Sequence, residues 1–273
     1  MDTTTMEVNK KKKGLTGSTL KIIAIISMLI DHTTAVLLGR VLVKRGMMDV
    51  LMTTDPNELM TWLGDNWVAF AIYWVFRFIG RIAFPIFVFL MVEGFLKTSN
   101  KWKYLARLTV FALISEIPFD LALRNNILDF EGQNVFFTLA IGLLTMIICE
   151  GLEKKLWTGK NAVSKVITVV LTAIVIIAGG LAADMLLTDY GFIGIICIMA
   201  IYLFRKNKTM QIVAGCIAFL WEFTAPLAFI PIAFYNGERG MKLKYLFYAF
   251  YPVHLLILYG IAVLCGLGAY ISV

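Results

Sequence analysis

Ionisable residues stand inside the first apolar stretch of the chain, where a charge is expensive to place. Asp31 and His32 lie near the centre of residues 20–38, and Lys21 stands at the start. An ionisable residue at such a position costs roughly 2.5–3.5 kcal/mol in a membrane, which indicates a functional site. The chain has two histidines, His32 and His254, and both lie in apolar runs. Imidazoles in such surroundings favour proton chemistry.

The spacing of Lys21 and His32 places both on one face of a helix. They are eleven residues apart, which is close to three turns, or about 16 Å along the axis. A cation at the rim and a deep imidazole suit an anionic cosubstrate whose reactive end reaches inward. The alternative is that Lys21 extends to the interface and His32 only packs. Asp31 points about 100° away, to orient an imidazole on another helix or to pair with an arginine.

Arg77 and Arg81 are four residues apart and therefore share a helix face. An arginine in an apolar run needs an anionic partner, and its planar fork suits a carboxylate or a phosphate. These residues are candidates for binding an anionic cosubstrate. The alternative is an ion pair with Glu93, Glu116 or Asp120 that ties helices together.

Glu116 and Asp120 form a second pair on one face, with Pro118 between them. The proline frees a backbone carbonyl, which is typical of a segment that lines a cavity. The carboxylates either hold His32 in a productive tautomer, as the acid of a catalytic triad does, or neutralise the arginines. The second role is favoured for Asp120, and both roles stay open for Glu116.

Four further polar residues in apolar runs are candidate substrate contacts: Asn134, Glu222, Tyr251 and His254. Asn134 opens the fourth apolar run, where such a group more often joins helices than binds a ligand. Tyr251 and His254 are three apart and share a face, so a second base or an orienting donor is an alternative to a packed core histidine.

Composition predicts an all-α, polytopic transmembrane helical bundle. The 273 residues are 60% hydrophobic and 16% charged, with a mean hydropathy of +0.82. A soluble domain averages about 45–50% apolar and about 25% charged residues. We expect a basic cytoplasmic N-terminus over 1–17 and one transmembrane domain over 18–273. The net charge of +7 sits in short loops, so it does not indicate nucleic acid as a partner.

We expect about eight to nine spans of roughly 20 residues each, some broken or re-entrant. The apolar runs are 18–39, 67–96, 104–124, 134–152, 163–182, 189–205, 211–235 and 246–270. The second run is long, and an interfacial piece over 67–78 with a span from Ile79 is an alternative. No sequence motif indicates a metal site or a tightly bound cofactor.

Lysine and arginine clusters predict the orientation, with the N-terminus in the cytoplasm. Clusters that mark this side lie at 10–13, 97–107, 154–165 and 205–208. The loop 236–244 is also cationic, although eight spans put it on the other side. Either Trp221 to Ala233, with Pro226 and Pro231, is broken or re-entrant, or the count is off by one.

Several sequence blocks occur together in one known family. They lie at 20–24 and 28–32, 80–87 and 92–95, 107 and 115–120, 134–138, 235–240 and 250–255. In combination they make the chain, from about residue 18 to residue 260, resemble the TraX family of bacterial membrane proteins.

The resemblance implies acyl transfer. The named member of that family acetylates the N-terminus of a conjugative pilin subunit. The family is also similar to transmembrane acyltransferases that use coenzyme A and show a lysine or arginine, ten intervening residues and a histidine. Lys21 and His32 match this spacing, whereas the arginine pair of those relatives is closer together than Arg77 and Arg81.

The resulting expectation is a multi-pass acetyltransferase of the bacterial cytoplasmic membrane. Acetyl-CoA or another acyl-CoA would be the cosubstrate on the cytoplasmic side, and the acceptor a peptide N-terminus, a glycan or a small molecule. Lys21, Arg77 and Arg81 would bind the donor. His32 would be the general base, with its imidazole fixed by an acid. The candidate acids are Asp31, Glu116 and Asp120.

Two other functions fit the same residues. The buried ionisable groups could form the path of a proton-coupled transporter, although no inverted repeat is visible. The chain could also be a non-catalytic membrane component of a conjugation or secretion assembly.

Overall fold

The computed structural model describes residues 13–157, 161–241 and 244–268, and these residues form an all-α bundle. The predicted fold class is therefore confirmed. Lys10 to Lys12 of the basic N-terminus, together with Lys160 and Lys242 of the cationic loops, lie outside the described residues.

Twelve α-helices make up the described part of the chain. They are α1 (Gly17–Thr33), α2 (Gly39–Lys44), α3 (Met47–Met52), α4 (Pro56–Gly80), α5 (Ala83–Lys97), α6 (Lys101–Phe119), α7 (Val135–Leu156), α8 (Ala162–Met185), α9 (Gly191–Leu203), α10 (Lys208–Ala218), α11 (Phe229–Ala233) and α12 (Lys244–Leu264). A π-helical turn, Thr34–Leu38, joins α1 to α2, and a second one, Asp120–Arg124, follows α6. A 3₁₀ turn, Ala225–Ala228, precedes α11. Asparagine side chains cap the starts of α6, α7, α8 and α10, which satisfies backbone N–H groups there.

Five helical segments of the described chain are long and apolar enough to cross a membrane. They are Gly17–Lys44, Pro56–Lys97, Val135–Leu156, Ala162–Met185 and Phe247–Leu264. The second segment begins earlier than predicted and breaks at Arg81 and Ile82, between α4 and α5. Pro85 contributes to this break, because it has no N–H to donate to the preceding turn. The protein is a polytopic helical membrane protein.

One end of the bundle gathers the cationic loops, and we call it the cationic end. The N-terminus of α1 meets the loop after α11, where Gly17 N donates to Glu238 O at 2.8 Å. Lys97 at the end of α5 reaches the same loop and donates to Gly237 O at 2.9 Å. Salt bridges join Lys101 to Glu150 and Arg205 to Glu153. The start of α6, the end of α7 and the end of α9 therefore also lie at the cationic end.

Residues 211–235 do not form a straight span. α10 and α11 start and finish at the cationic end, since Lys208 Nζ donates to Ala233 O at 2.7 Å and to Tyr235 O at 2.9 Å. The alternative of a broken, re-entrant segment is thus confirmed. It also explains the cationic loop that follows, because residues 236–241 lie at the same end as the other cationic loops.

Arg40 holds the opposite end together. Its side chain is 2% exposed and donates to three backbone carbonyls, those of Leu121, Ala122 and Leu267, at 2.8–3.1 Å. These carbonyls belong to the π turn after α6 and to the segment after α12. One guanidinium therefore satisfies backbone carbonyls at the ends of helices, which would otherwise lack hydrogen-bond partners in an apolar setting.

The junction between α4 and α5 packs tightly on α1. Ser27 Oγ donates to Ile79 O at 2.5 Å, and a Cβ on Gly80 would lie 2.3 Å from Oδ1 of Asp31. Only glycine permits this approach of α1, which brings Asp31 and His32 to the break in the helix.

Replacing Gly80 by alanine should force α1 away from the junction. Overpacking of this kind costs about 1–3 kcal/mol, so we expect a lower melting temperature for the Gly80→Ala protein in detergent. Gly64→Ala is the matched control in the same helix, because a Cβ there meets no atom within 4 Å. Equal melting temperatures for the two variants would contradict the close contact.

Candidate active site

An elongated cavity of about 430 Å³ runs through the bundle between α1, α5, α6, α7 and α12. On α1 it is lined from Gly17 to His32, which is about 22 Å of helix. On α5 it is lined from Ala83 to Lys97. The cavity therefore starts at the cationic end and reaches the depth of the α4–α5 break.

The mouth of this cavity is predominantly cationic. The cations that line it are Lys21, Lys97, Arg107 and Arg239. Lys97 pairs with Glu93 at 2.8 Å, and Lys21 Nζ lies 5.0 Å from the ring centroid of Phe247. An excess of positive charge at the rim of a low-dielectric cleft attracts anions such as phosphates.

The deep end of the cavity carries the polar groups Asp31, His32, Arg81, Asp189, Tyr190 and Tyr251. Between mouth and deep end the walls are mainly apolar, with Phe84, Phe87, Leu90 and Leu139 among them. Two polar ends joined by an apolar passage suit an extended ligand with a charged head and a less polar arm.

His32 is held by His254, which lies behind the cavity wall on α12. Nδ1 of His254 is 2.7 Å from Phe250 O, and since a carbonyl only accepts, this nitrogen carries the proton. Nε2 of His254 is then an acceptor, and it lies 2.7 Å from Nδ1 of His32. In the neutral pair Nδ1 of His32 therefore donates, which leaves Nε2 of His32 without a proton and able to act as a base.

Two ion pairs surround this base at mid-depth. Arg77 Nη1 lies 2.7 Å from Asp31 Oδ2, and Arg81 Nη1 lies 3.1 Å from Glu222 Oε1. Glu222 belongs to the tip of the re-entrant segment, where Thr224 Oγ1 also donates to Phe78 O at 2.6 Å. Two roles were considered for Asp31, and the structure shows the ion pair with an arginine.

The predicted ion pairs of the arginines with Glu93, Glu116 or Asp120 are wrong, because Asp31 and Glu222 occupy both guanidinium groups. Glu93 pairs instead with a lysine at the mouth.

The predicted contact of Glu116 or Asp120 with His32 is also absent from the described contacts. Glu116 accepts hydrogen bonds from the side chain and backbone N–H of Asn134, and Asp120 Oδ2 accepts from Asp129 N at 2.9 Å. The end of α6 has passed the depth of His32, so both carboxylates hold the loop at the opposite end. Asn134 itself caps α7 by accepting from Phe136 N at 3.0 Å.

The structure brings some of the predicted site residues to one cavity. Those that line it are Lys21, Asp31, His32, Arg81 and Tyr251, and the predicted shared face of Lys21 and His32 is confirmed. The others lie behind its walls or elsewhere in the bundle: Arg77, Glu116, Asp120, Asn134, Glu222 and His254.

Sequence analysis missed Asp189 and Tyr190 as lining residues. Tyr190 stacks on Phe84 with ring centroids 3.7 Å apart, which places the segment between α8 and α9 against the cavity. An acid next to an aromatic residue at the start of an apolar run was the available signal. Arg107 and Arg239 were noted only as markers of orientation, whereas both line the mouth.

The Arg81–Glu222 pair should be coupled energetically. We expect Arg81→Met or Glu222→Gln alone to lower stability, because each leaves a charge without its partner, and the double variant to lose less than the sum. Thermal unfolding of the four proteins should give a coupling energy of about 0.5–3 kcal/mol. Lys206→Met, at an exposed pair with Glu153, is the control with little expected effect. Additive losses would refute the coupling.

The fold and the site define a polytopic helical membrane protein with an internal cavity that ends at His32. The sequence profile of the family described as TraX protein matches residues 16–262, so the chain belongs to the TraX family. A curated relative, the probable fimbrial assembly protein FimC, serogroup H1, of Dichelobacter nodosus, is 27% identical over 239 residues, which covers 77% of this chain and 90% of the relative. No solved structure matches the chain.

Proposed function

We propose that this protein is a membrane acyltransferase that takes its acyl group from acyl-CoA, most simply acetyl-CoA, at the cationic end. The observation that carries the proposal is the cavity that joins a cation-rich mouth to His32, whose Nδ1 contacts His254. The cationic end would face the cytoplasm of a bacterial cell, as the positive-inside rule favours.

The cavity suits the shape and charge of such a donor. The phosphate groups would bind near Lys21, Lys97, Arg107 and Arg239, and the thioester arm would extend along the apolar walls towards His32. The side chain of Arg81 would stabilise the negative charge that develops on the thioester oxygen. Arg81 lines the cavity while Glu222 holds its guanidinium from behind.

The transfer step assigns a distinct role to each histidine. The acceptor's amine or hydroxyl attacks the thioester carbonyl carbon while Nε2 of His32 takes its proton, a general-base contribution of about 10²–10⁴-fold. The new C–N or C–O bond forms, the C–S bond breaks, and the imidazolium returns the proton to the leaving sulfur. His254 is a positioning residue, because its Nε2 fixes the tautomer of His32.

A second candidate function is a non-catalytic membrane component of an assembly apparatus. The name of the relative, a probable fimbrial assembly protein, favours it. The two candidates differ in whether the purified protein binds an acyl-CoA and transfers its acyl group.

Acetyl-CoA should raise the melting temperature of the detergent-purified protein. A ligand that binds only the folded state adds about 2.7 kcal/mol at a hundred times its dissociation constant. We expect Lys21→Ala to weaken this shift, because a cation of the mouth is lost, and Lys155→Ala to preserve it. Lys155 is an exposed cation near the end of α7 and lines no described cavity. No shift with acetyl-CoA or longer acyl-CoAs would favour the assembly component.

Variants of the two histidines should separate the base from its positioning residue. His32→Ala should abolish acyl transfer while the acetyl-CoA melting shift persists. His254→Ala should lower kcat by about 100-fold or more with little change in KM for the donor, since loss of an orienting partner acts on the base. His254→Gln should restore part of the rate, because its amide oxygen can accept from Nδ1 of His32. Normal transfer by stable His32→Ala protein would overturn the mechanism.

A further inference from the structure

Tyr251 places a hydroxyl at the deep end of the cavity, and none of the steps described above uses it. Tyr251 lines the cavity and is 4% exposed. Its ring stands edge-on to His32, with ring centroids 5.9 Å apart and ring planes at 71°. A second edge-on contact, with Phe136, has centroids 5.1 Å apart. These contacts hold the ring beside the proposed general base and restrict the direction of its hydroxyl.

The start of α7 supplies a hydrogen bond to this hydroxyl. Val135, the first residue of α7, donates its backbone N–H to the hydroxyl oxygen of Tyr251, and both residues line the cavity. The next two N–H groups of α7 are satisfied by Asn134, because Phe136 N donates to its Oδ1 and Phe137 N to its backbone oxygen, each at 3.0 Å. Tyr251 therefore satisfies the N–H group at the start of α7 that the asparagine cap leaves over.

The hydroxyl of Tyr251 accepts in this bond, so its own proton remains available for donation. Among the described residues, no carbonyl and no side chain accepts that proton. The positive end of the α7 dipole polarises the O–H group, and hydrogen bonds in sequence strengthen one another where the dielectric constant is low. The start of α7 therefore makes Tyr251 a stronger neutral donor at the depth of His32.

Arg81 is the other donor at this depth, and its position is fixed in a comparable way. Its guanidinium pairs with Glu222 and also donates to the hydroxyl of Tyr190. A negative charge that develops on an oxygen is stabilised by donors that are already in place and need not reorganise during the reaction. A guanidinium held by two partners and a hydroxyl held by the start of a helix both meet this requirement.

We propose that Tyr251 is a catalytic residue of acyl transfer, whose hydroxyl donates a hydrogen bond to the carbonyl oxygen of the bound thioester. The inference rests on the proposed function and adds a second donor beside Arg81. When the acceptor attacks the carbonyl carbon, an electron pair of the C=O bond moves to the oxygen, and the hydroxyl of Tyr251 stabilises the charge there. The pair returns to restore the C=O bond as the C–S bond breaks. No bond to Tyr251 forms or breaks.

The test measures hydrogen bonding to the thioester carbonyl directly, and it requires no acceptor. Acetyl-CoA labelled with ¹³C at the acetyl carbonyl would be added to the detergent-purified protein. The infrared difference against unlabelled acetyl-CoA isolates the C=O stretching band of the bound donor. A hydrogen bond to a carbonyl oxygen lowers the frequency of this band, so the band reports each donor that is removed or strengthened.

We expect Tyr251→Phe, which removes only the hydroxyl, to move the band of the bound donor to higher frequency. The same substitution should lower kcat for acyl transfer roughly 10²–10³-fold, as loss of one oxyanion donor does, with little change in KM for acetyl-CoA. Tyr259→Phe is the matched control, because Tyr259 lies two turns further along α12 and lines no described cavity. It should leave the band and the rate unchanged.

A second variant keeps the test independent of any loss of stability. Tyr251→Phe leaves the N–H of Val135 without its acceptor, whereas 3-fluorotyrosine incorporated at position 251 preserves this acceptor. Because the fluorine makes the phenol a stronger donor, the band should move to lower frequency, opposite to the shift in Tyr251→Phe. Arg81→Met combined with Glu222→Gln removes the other donor without leaving a charge unpaired, and it should raise the frequency independently.

The outcomes separate this inference from the proposed function. Equal band frequencies in wild type, Tyr251→Phe and the fluorotyrosine protein, or a normal kcat in Tyr251→Phe, would overturn the role of Tyr251. A shift in the Arg81 and Glu222 double variant alone would assign the carbonyl to Arg81. The expected band shifts without acyl transfer by wild type would refute catalysis and leave the hydrogen bond standing. Absence of a bound band and of a melting shift in wild type would refute the proposed function, and this inference with it.

Discussion

The cost of placing charge inside a membrane determines how the centre of this bundle is built. Arg77 lies in the last turn of α4, and Arg81 lies at the break that follows. Each forms an ion pair with an acid from a different part of the chain. Asp31 comes from α1, and Glu222 comes from the tip of the re-entrant segment. Because an unpaired guanidinium at this depth would be very unfavourable, these two pairs fix α1, the α4–α5 junction and the re-entrant tip against one another.

This arrangement determines the environment of His32. Asp31 pairs with Arg77, and its neighbour His32 therefore contacts His254 of α12 and not this acid. The partner of His32 is the neutral imidazole of His254, which is itself oriented by a backbone carbonyl. A neutral orienting partner suits an uncharged base in an apolar setting. The acids of this region pair with the arginines, and His32 pairs with a second histidine.

The sequence predicted what depends on local pattern and could not predict what depends on tertiary pairing. Hydropathy and lysine placement indicated the helical class and offered a break in residues 221–233 as one of two alternatives, because both follow from the length and charge of single runs. The eleven-residue spacing put Lys21 and His32 on one cavity, since helical periodicity is local. The pairing of Arg81 with Glu222 and of His32 with His254 joins residues more than 140 positions apart, and five acids of the apolar runs, Glu222 among them, competed for two arginines. Spacing alone cannot decide such a competition.

The cavity that ends at His32 differs in charge from a second cavity at the opposite end of the bundle, called the outer cavity, whose lining residues include Glu131, Asp184 and Asp189. The ion pairs neutralise the centre, so each cavity keeps the sign of charge of its own end: positive at the cationic mouth and negative in the outer cavity. An anion would be drawn to the cationic mouth and a cation to the outer cavity. Either cavity alone would suit many ligands. Because a single ion attracted at one end would be repelled at the other, the two cavities fit the passage of one charged solute poorly.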